Sequence, residues 1–286
     1  LPIDYPKLRN WTSHEVMHRF TERDTILYAL AVGLGVPPTD KRQLGFVYEL
    51  GLSALPSMAT VLADPGLWVR IPELAIDWKR ALIGDQAVVV HHRLPTAGEV
   101  KATTRVVGIL DKGDRGAFIL TERDIYDCAS GALLATVKST VIGRSEGGFG
   151  GSSDTAPPAY KVPSRLPDRT RSIQISPRAA LLYRLTGDLN PIHIDPDVAA
   201  EAGYHAPILH GLCTFGMAGY ALVDECCDGN PDRVHTLQVR FTAPVFPGDR
   251  LSLEIWKESD RAHFRAHVPD RNAMVLDCGL LTVREN

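Results

Sequence analysis

One pattern occurs twice in this chain and constrains its fold more than any other feature. Residues 21–35 read TERDTILYALAVGLG and residues 176–190 read SPRAALLYRLTGDLN. With Thr21 set against Ser176, Arg23 falls on Arg178, Leu27 on Leu182, Tyr28 on Tyr183 and Leu30 on Leu185 without a gap. Self-similarity at one offset implies two copies of a single structural unit packed together. Each copy opens with a hydroxyl residue suited to cap a helix, and the second adds Pro177 at the first helical position and Gly187 just past the end. Between them, residues 144–169 combine a Gly/Ser run with several prolines, the composition of a linker and an extended crossing segment. The expected organisation is a first repeat over 1–143, a linker over 144–169 and a second repeat over 170–286.

Each half then carries a longer apolar helix candidate, at residues 49–62 and 211–223. Four strand-like runs follow in each: 87–92, 101–110, 117–126 and 133–142, then 236–241, 250–256, 263–268 and 274–283. They are rich in Val, Leu, Thr and aromatic residues and bounded by Gly, Asp and Pro. Helices followed by a strand meander give an α+β class instead of alternating βαβ units. A long apolar helix wrapped by an antiparallel sheet fits a hotdog fold, and two such repeats in one chain fit a double hotdog.

Composition narrows the partners. The formal net charge is -3 with basic and acidic residues intermixed and no basic block, so no nucleic-acid partner is expected. No apolar stretch reaches the roughly 20 residues needed to span a bilayer, and no membrane association is expected. The start does not read as a secretory signal. The five cysteines are odd in number and lack CxxC spacing, so they read as reduced, buried structural thiols, vicinal Cys226 and Cys227 included.

The chemistry concentrates in GDLNPIHIDP, residues 187–196. A helix stops at Gly187 and Pro191 prevents it from resuming at once, which puts Asp188, Asn190 and His193 on a tight polar turn. A carboxylate and an imidazole five positions apart there can converge on one water, one group taking a proton and the other giving one. Pro196 is set to start a short helix ending at Gly203, and Pro207 delays the long helix to His210 or Gly211. The first N–H groups of a helix lack internal partners and sit at its positive end. The Gly211 N–H is therefore suited to stabilise an oxyanion on a thioester carbonyl. His210 stays open between lining the site and a cap or core role. His91 and His92 read as strand residues instead of metal ligands, and Arg165, Arg169 and Arg171 as solvated linker charge.

The run D-x-N-P-x-H, the H-G pair opening the long helix and FTAPVFPGD at residues 241–249 resemble the MaoC-like, hydratase 2 family. GDQ at 84–86 and LPTAG at 94–98 are similar to N-terminal segments of its two-domain members. The resemblance implies reversible syn addition of water to a trans-2-enoyl-CoA, giving the (3R)-hydroxyacyl-CoA in fatty acid metabolism of the β-oxidation kind. It implies Asp188 and His193 as the acid/base pair, Asn190 as an assisting residue and the Gly211 N–H as oxyanion donor. It requires no metal and no cofactor, CoA being part of the substrate. At the repeat-equivalent positions the first half has Gly33, Gly35 and Pro38 in place of Asp188, Asn190 and His193, so one site per chain is expected. The resemblance implies that such a degenerate first repeat makes room for a bulky or long acyl chain.

Two other functions fit the same fold. A hotdog thioesterase would direct water at the carbonyl carbon instead of Cβ, and a non-catalytic module would bind acyl-CoA without turnover. The intact Asp/His string favours the hydratase. A homodimer is the expected assembly, although one chain already supplies two repeats. The C-terminal Arg-Glu-Asn differs from the peroxisomal tripeptide of some relatives, which makes the cytoplasm the expected location.

Overall fold

The computed structural model describes residues 3–150, 154 and 160–284, so the linker residues 151–153 and 155–159 lie outside the described residues. Ten strands form one antiparallel sheet. The first half contributes β1 (Val16–Phe20), β2 (Leu82–Val90), β3 (Gly98–Asp111), β4 (Ala117–Asp127) and β5 (Leu133–Gly143). The second contributes β6 (Arg169–Gln174), β7 (Val234–Phe241), β8 (Arg250–Lys257), β9 (Arg261–Val268) and β10 (Ala273–Val283). The spatial order is β1-β3-β4-β5-β2-β7-β10-β9-β8-β6, so the second half repeats the order of the first in reverse. The repeat seen in the sequence is thus a two-fold pseudosymmetry. Its seam is the β2–β7 pair, with Asp85 opposite Arg240 and Val89 opposite Thr236. The Arg240 guanidinium donates to Asp85 across the seam at 2.8 Å. This is the double hotdog anticipated above.

All eight expected strands are present, most of them longer by one to a few residues, but the first runs Leu82–Val90 instead of 87–92, so His91 and His92 lie just past its end. Two more were not legible. β1 and β6 are short, polar edge strands whose stability comes from ladder hydrogen bonds to β3 and β8. β6 begins inside the segment read as linker. Its Arg171 is half-buried and pairs at 2.6 Å with Asp224, which departs from the reading as solvated charge, whereas Arg165, bonded to Asp168, and Arg169 remain exposed as expected.

The helices are α1 (Tyr5–Arg9), α2 (Glu22–Ala31), α3 (Lys41–Val47), α4 (Ala179–Tyr183), α5 (Pro196–Glu201) and α6 (Gly211–Cys226). Thr21 starts α2, where its N–H and hydroxyl both donate to Asp24. In the second copy the helix begins later than expected: residues 176–178 form a turn held by the Ser176 hydroxyl, and Pro177 precedes α4. The repeat-related Tyr28 and Tyr183 meet in the core, with ring centroids 6.1 Å apart.

The larger departure is at residues 49–62. No long helix forms there; only a 3-10 turn, Pro56–Thr60, is present. Gly51 takes a left-handed φ of 77°, and Pro56 has no N–H to continue a helical ladder from the residues before it. The apolar content that suggested a helix is instead buried as an irregular layer, with Leu55, Met58, Ala59 and Leu62 in the core. Among the described residues one long central helix, α6, packs against both halves. From Cys213 to Val223 α6 is buried at every residue, as expected of a helix apolar all round. Its glycines allow close packing: a Cβ on Gly216 would lie 2.5 Å from Val32 of the first half, and one on Gly219 would lie 3.0 Å from Leu237. Among the described residues no helix is long and apolar enough to cross a membrane.

Candidate active site

The turn between α4 and α5 carries the expected chemistry and is built by its own side chains. Gly187 ends the helical segment with a φ of 127°. Asn190 then caps a 3-10 turn, Pro191–His193, its side-chain oxygen accepting from the Ile192 N–H. The chain therefore resumes a short helical turn at Pro191 instead of remaining irregular, because proline is preorganised for the first position. The Asn190 N–H donates to the Asp188 carboxylate at 3.1 Å. Asp188, Asn190, His193 and Gly211 all line one cavity.

His193 and Asp188 face each other with Nε2 and Oδ2 4.0 Å apart, too far for a direct hydrogen bond and suitable for one bridging water. The other ring nitrogen of His193, Nδ1, donates to the Ile208 carbonyl at 2.9 Å. That bond fixes the neutral tautomer, with a lone pair on Nε2 aimed at the gap. Burial lowers the His193 pKa, against the opposing pull of the nearby Asp188 carboxylate, so the imidazole is held as a base.

Residue 210 is the one that sequence reasoning left open, and the structure resolves its surroundings. His210 is the N-cap residue of α6 and is 1% exposed. Its ring stacks on His193 with centroids 3.7 Å apart and sits 4.9 Å from Tyr183. Nε2 donates to the Asp188 backbone carbonyl at 3.2 Å. His210 therefore positions both members of the pair. Its only sequence signal is its place directly before the glycine that opens α6. Asp188, His193 and His210 bring ligand atoms within 4.8 Å of one another. The two rings are only 27° from parallel, however, so their in-plane lone pairs cannot both aim at one ion about 2 Å away. The arrangement is that of a stacked histidine pair.

Burial, and next the neighbouring His193, push His210 down to about pKa 3. The unfolded chain binds this proton near pH 6.5, whereas the folded protein resists until about 3, so this contribution to stability is lost as pH falls through that window. The slope is about 1.4 kcal/mol per pH unit. Chemical denaturation at pH 6.5 and pH 5 should differ by roughly 2 kcal/mol more in the wild type than in His210→Gln. An equal difference in both would contradict the assignment.

Gly211 begins α6, where its N–H has no partner within the helix, and the residue lines the cavity. The ring of Phe241 packs on its Cα face, where an added Cβ would lie 3.3 Å from Cε1. Phe241 begins the FTAPVFPGD segment, whose Ala243, Pro244 and Val245 form a wall of the cavity and are not only a strand connection. Leu209 N–H donates to the Val245 carbonyl at 2.7 Å and ties that wall to the start of α6. The cavity has a volume of about 1370 Å³ and continues into the first half, past Met58, Val61 and Ala63. The irregular segment at residues 58–63 thus forms part of its wall. His91 and His92 lie away from it, bonded to Thr136 and the Leu133 carbonyl. The five cysteines are free; Cys213 and Cys227 are buried and the other three are partly exposed.

Residues 159–275 match the MaoC like domain, and residues 18–145 match the MFE-2 hydratase 2 N-terminal domain. The chain is 38% identical over 275 residues to 3-hydroxyacyl-thioester dehydratase Y of Mycobacterium tuberculosis, covering 92% of this chain and 93% of that protein. The chain belongs to the MaoC-like, hydratase 2 family. It is also 37% identical over 265 residues to peroxisomal multifunctional enzyme type 2 of Mus musculus, a match taking in 90% of this chain and about a third, 35%, of the mouse protein. Among solved structures, the MaoC-like dehydratase from Phytophthora capsici superposes with a TM-score of 0.86 at 30% identity, covering 98% of both chains. Several of these relatives carry hydratase or dehydratase names, and the two domain matches fall one in each half of this chain. The MaoC-like part holds Asp188, Asn190, His193 and Gly211. The hydratase 2 N-terminal part has glycine or proline at the equivalent positions and supplies cavity walls.

Proposed function

We propose that this protein adds water reversibly to trans-2-enoyl-CoA thioesters to give (3R)-hydroxyacyl-CoA, using Asp188 and His193 as its proton-handling pair. The observation that carries this reading is the 4.0 Å gap between a carboxylate oxygen and an imidazole nitrogen whose tautomer is fixed by Ile208. A water in that gap gives a proton to His193 Nε2 as its oxygen attacks Cβ, while the Asp188 carboxylate orients it and stabilises the imidazolium. Negative charge moves to the thioester oxygen, which the Gly211 N–H receives at the positive end of α6. The proton taken from water returns to Cα, so the hydroxyl and hydrogen arrive from one side and the addition is syn. The Asn190 side chain holds the turn through Ile192 and leaves its amide group for the water or substrate. The first half supports the reading by providing the acyl chamber. A relative named as a 3-hydroxyacyl-thioester dehydratase is consistent with the same chemistry in reverse.

The test is an assay of crotonyl-CoA with the enoyl absorbance and free thiol followed together. Loss of absorbance without thiol release, with a (3R) product on chiral analysis, is the expected result. Thiol release would replace the reading with a thioesterase, and binding without turnover would replace it with an acyl-CoA binding module.

A further inference from the structure

The floor of the acyl chamber is polar where an inner sheet face is ordinarily apolar. In the first half the inward positions of β2 to β5 include Gln86, Thr104, Thr121, Arg123 and Ser139, and all five line the cavity. They are cross-strand neighbours: Thr104 lies opposite Arg123, Thr121 opposite Ser139, and Ser139 opposite Gln86. Apolar residues bound this island on both sides along the strands. Ala102, Ile125, Val137 and Val88 belong to the main hydrophobic cluster, and Val106, Ile119 and Val141 to a separate one. The pseudosymmetric face of the second half has Leu253, Ile255, Phe264 and Ala266 and no such island. The polarity is therefore particular to the half that carries no catalytic pair.

Some of these groups satisfy each other. The Ser139 hydroxyl donates to Gln86 at 2.8 Å, and Arg123 pairs with Asp64 and donates to the Thr60 carbonyl. Two buried donors have no partner: the Arg123 Nε and the Thr104 hydroxyl, on residues that are each 5% exposed. Both are already shut off from water, so a plain alkyl tail in the cavity would leave them unpaired, whereas an acceptor oxygen on the tail would supply the missing partner. Because Asp64 already neutralises the guanidinium, the matching group is an uncharged acceptor.

We propose that this island is a specificity site for the acyl tail, selecting 2-enoyl thioesters whose tail carries a ketone or hydroxyl oxygen over alkyl tails of equal length. Thr104 and Arg123 donate to that oxygen. The proposal rests on the hydration reading above, and the experiment separates the two. Wild type, Thr104→Val and Arg123→Met would be assayed with trans-2-enoyl-CoAs of one chain length. Their tails would be all-alkyl, ketone-bearing at successive carbons, or ended by a carboxylate. Each kcat/KM would be divided by that variant's value for crotonyl-CoA. In the wild type one ketone position should exceed the alkyl tail by roughly 10-fold, the worth of about one hydrogen bond, and Thr104→Val should remove most of that preference. Thr104→Val keeps the side-chain shape and decides the matter if Arg123→Met, which leaves Asp64 unpaired, does not fold. An alkyl tail equal to every ketone tail, a carboxylate tail preferred to all of them, or a preference unchanged in Thr104→Val would each overturn the proposal. Absence of crotonyl-CoA hydration in the wild type would remove the reaction itself, and the proposal with it.

Discussion

Asp188→Asn should lower kcat for crotonyl-CoA hydration roughly 100- to 10,000-fold, the range for losing one positioned proton-handling group. Asparagine keeps an oxygen that can accept the Asn190 N–H now held at 3.1 Å, so the turn survives while the carboxylate is lost. His193→Gln should fall in the same range, because its Nε2 is the lone pair left free by the bond to Ile208. The two groups act on one water, so the double variant should be little worse than either single one. Steady-state kinetics with thermal melts as a folding control would measure this. Retention of more than a tenth of wild-type kcat in a folded single variant would sink the assignment.

Val61→Trp should convert the enzyme to a short-chain catalyst. Val61 follows the 3-10 turn Pro56–Thr60 and lines the part of the cavity that runs into the first half. An indole there would exclude two or three methylenes of a long acyl tail. At about 0.8 kcal/mol for each buried methylene, that exclusion costs roughly 1.6–2.4 kcal/mol, or about 15- to 60-fold in kcat/KM. The loss should appear with decenoyl-CoA and be much smaller with crotonyl-CoA, whose acyl group ends near the catalytic turn. Equal losses on both substrates would show that Val61 acts on the catalytic turn and not on the tail.

Much of this site was legible because local chemistry fixes it. Gly187, Pro191 and Pro196 punctuate the chain at Asp188 to His193 whatever surrounds them, and the structure finds a stop, a capped 3-10 turn and a new helix there. The eight longer strands were equally plain, since alternation and β-branched residues are local signals. The all-apolar, glycine-containing stretch from Gly211 announced a buried helix with a bare N-terminus. Residues 49–62 misled because apolar content alone does not separate a helix from an irregular buried layer. Gly51 and Pro56 were the local evidence against a helix, and the burial of Met58 and Leu62 without one depends on α6 occupying the shared core.

By itself the sequence determined the repeat, the eight longer strands, the polar turn from Asp188 to His193 and the absence of its side chains at the equivalent Gly33, Gly35 and Pro38. Tertiary structure alone decided the rest. It joined the halves through β2 and β7, stacked His210 on His193, and turned the polar run around Thr121 and Arg123 inward. The physical reason is that a period of two says which residues share a face of a strand and not which face meets the core. Likewise a cap residue reports where a helix starts, but what its ring touches depends on segments brought together only by the fold.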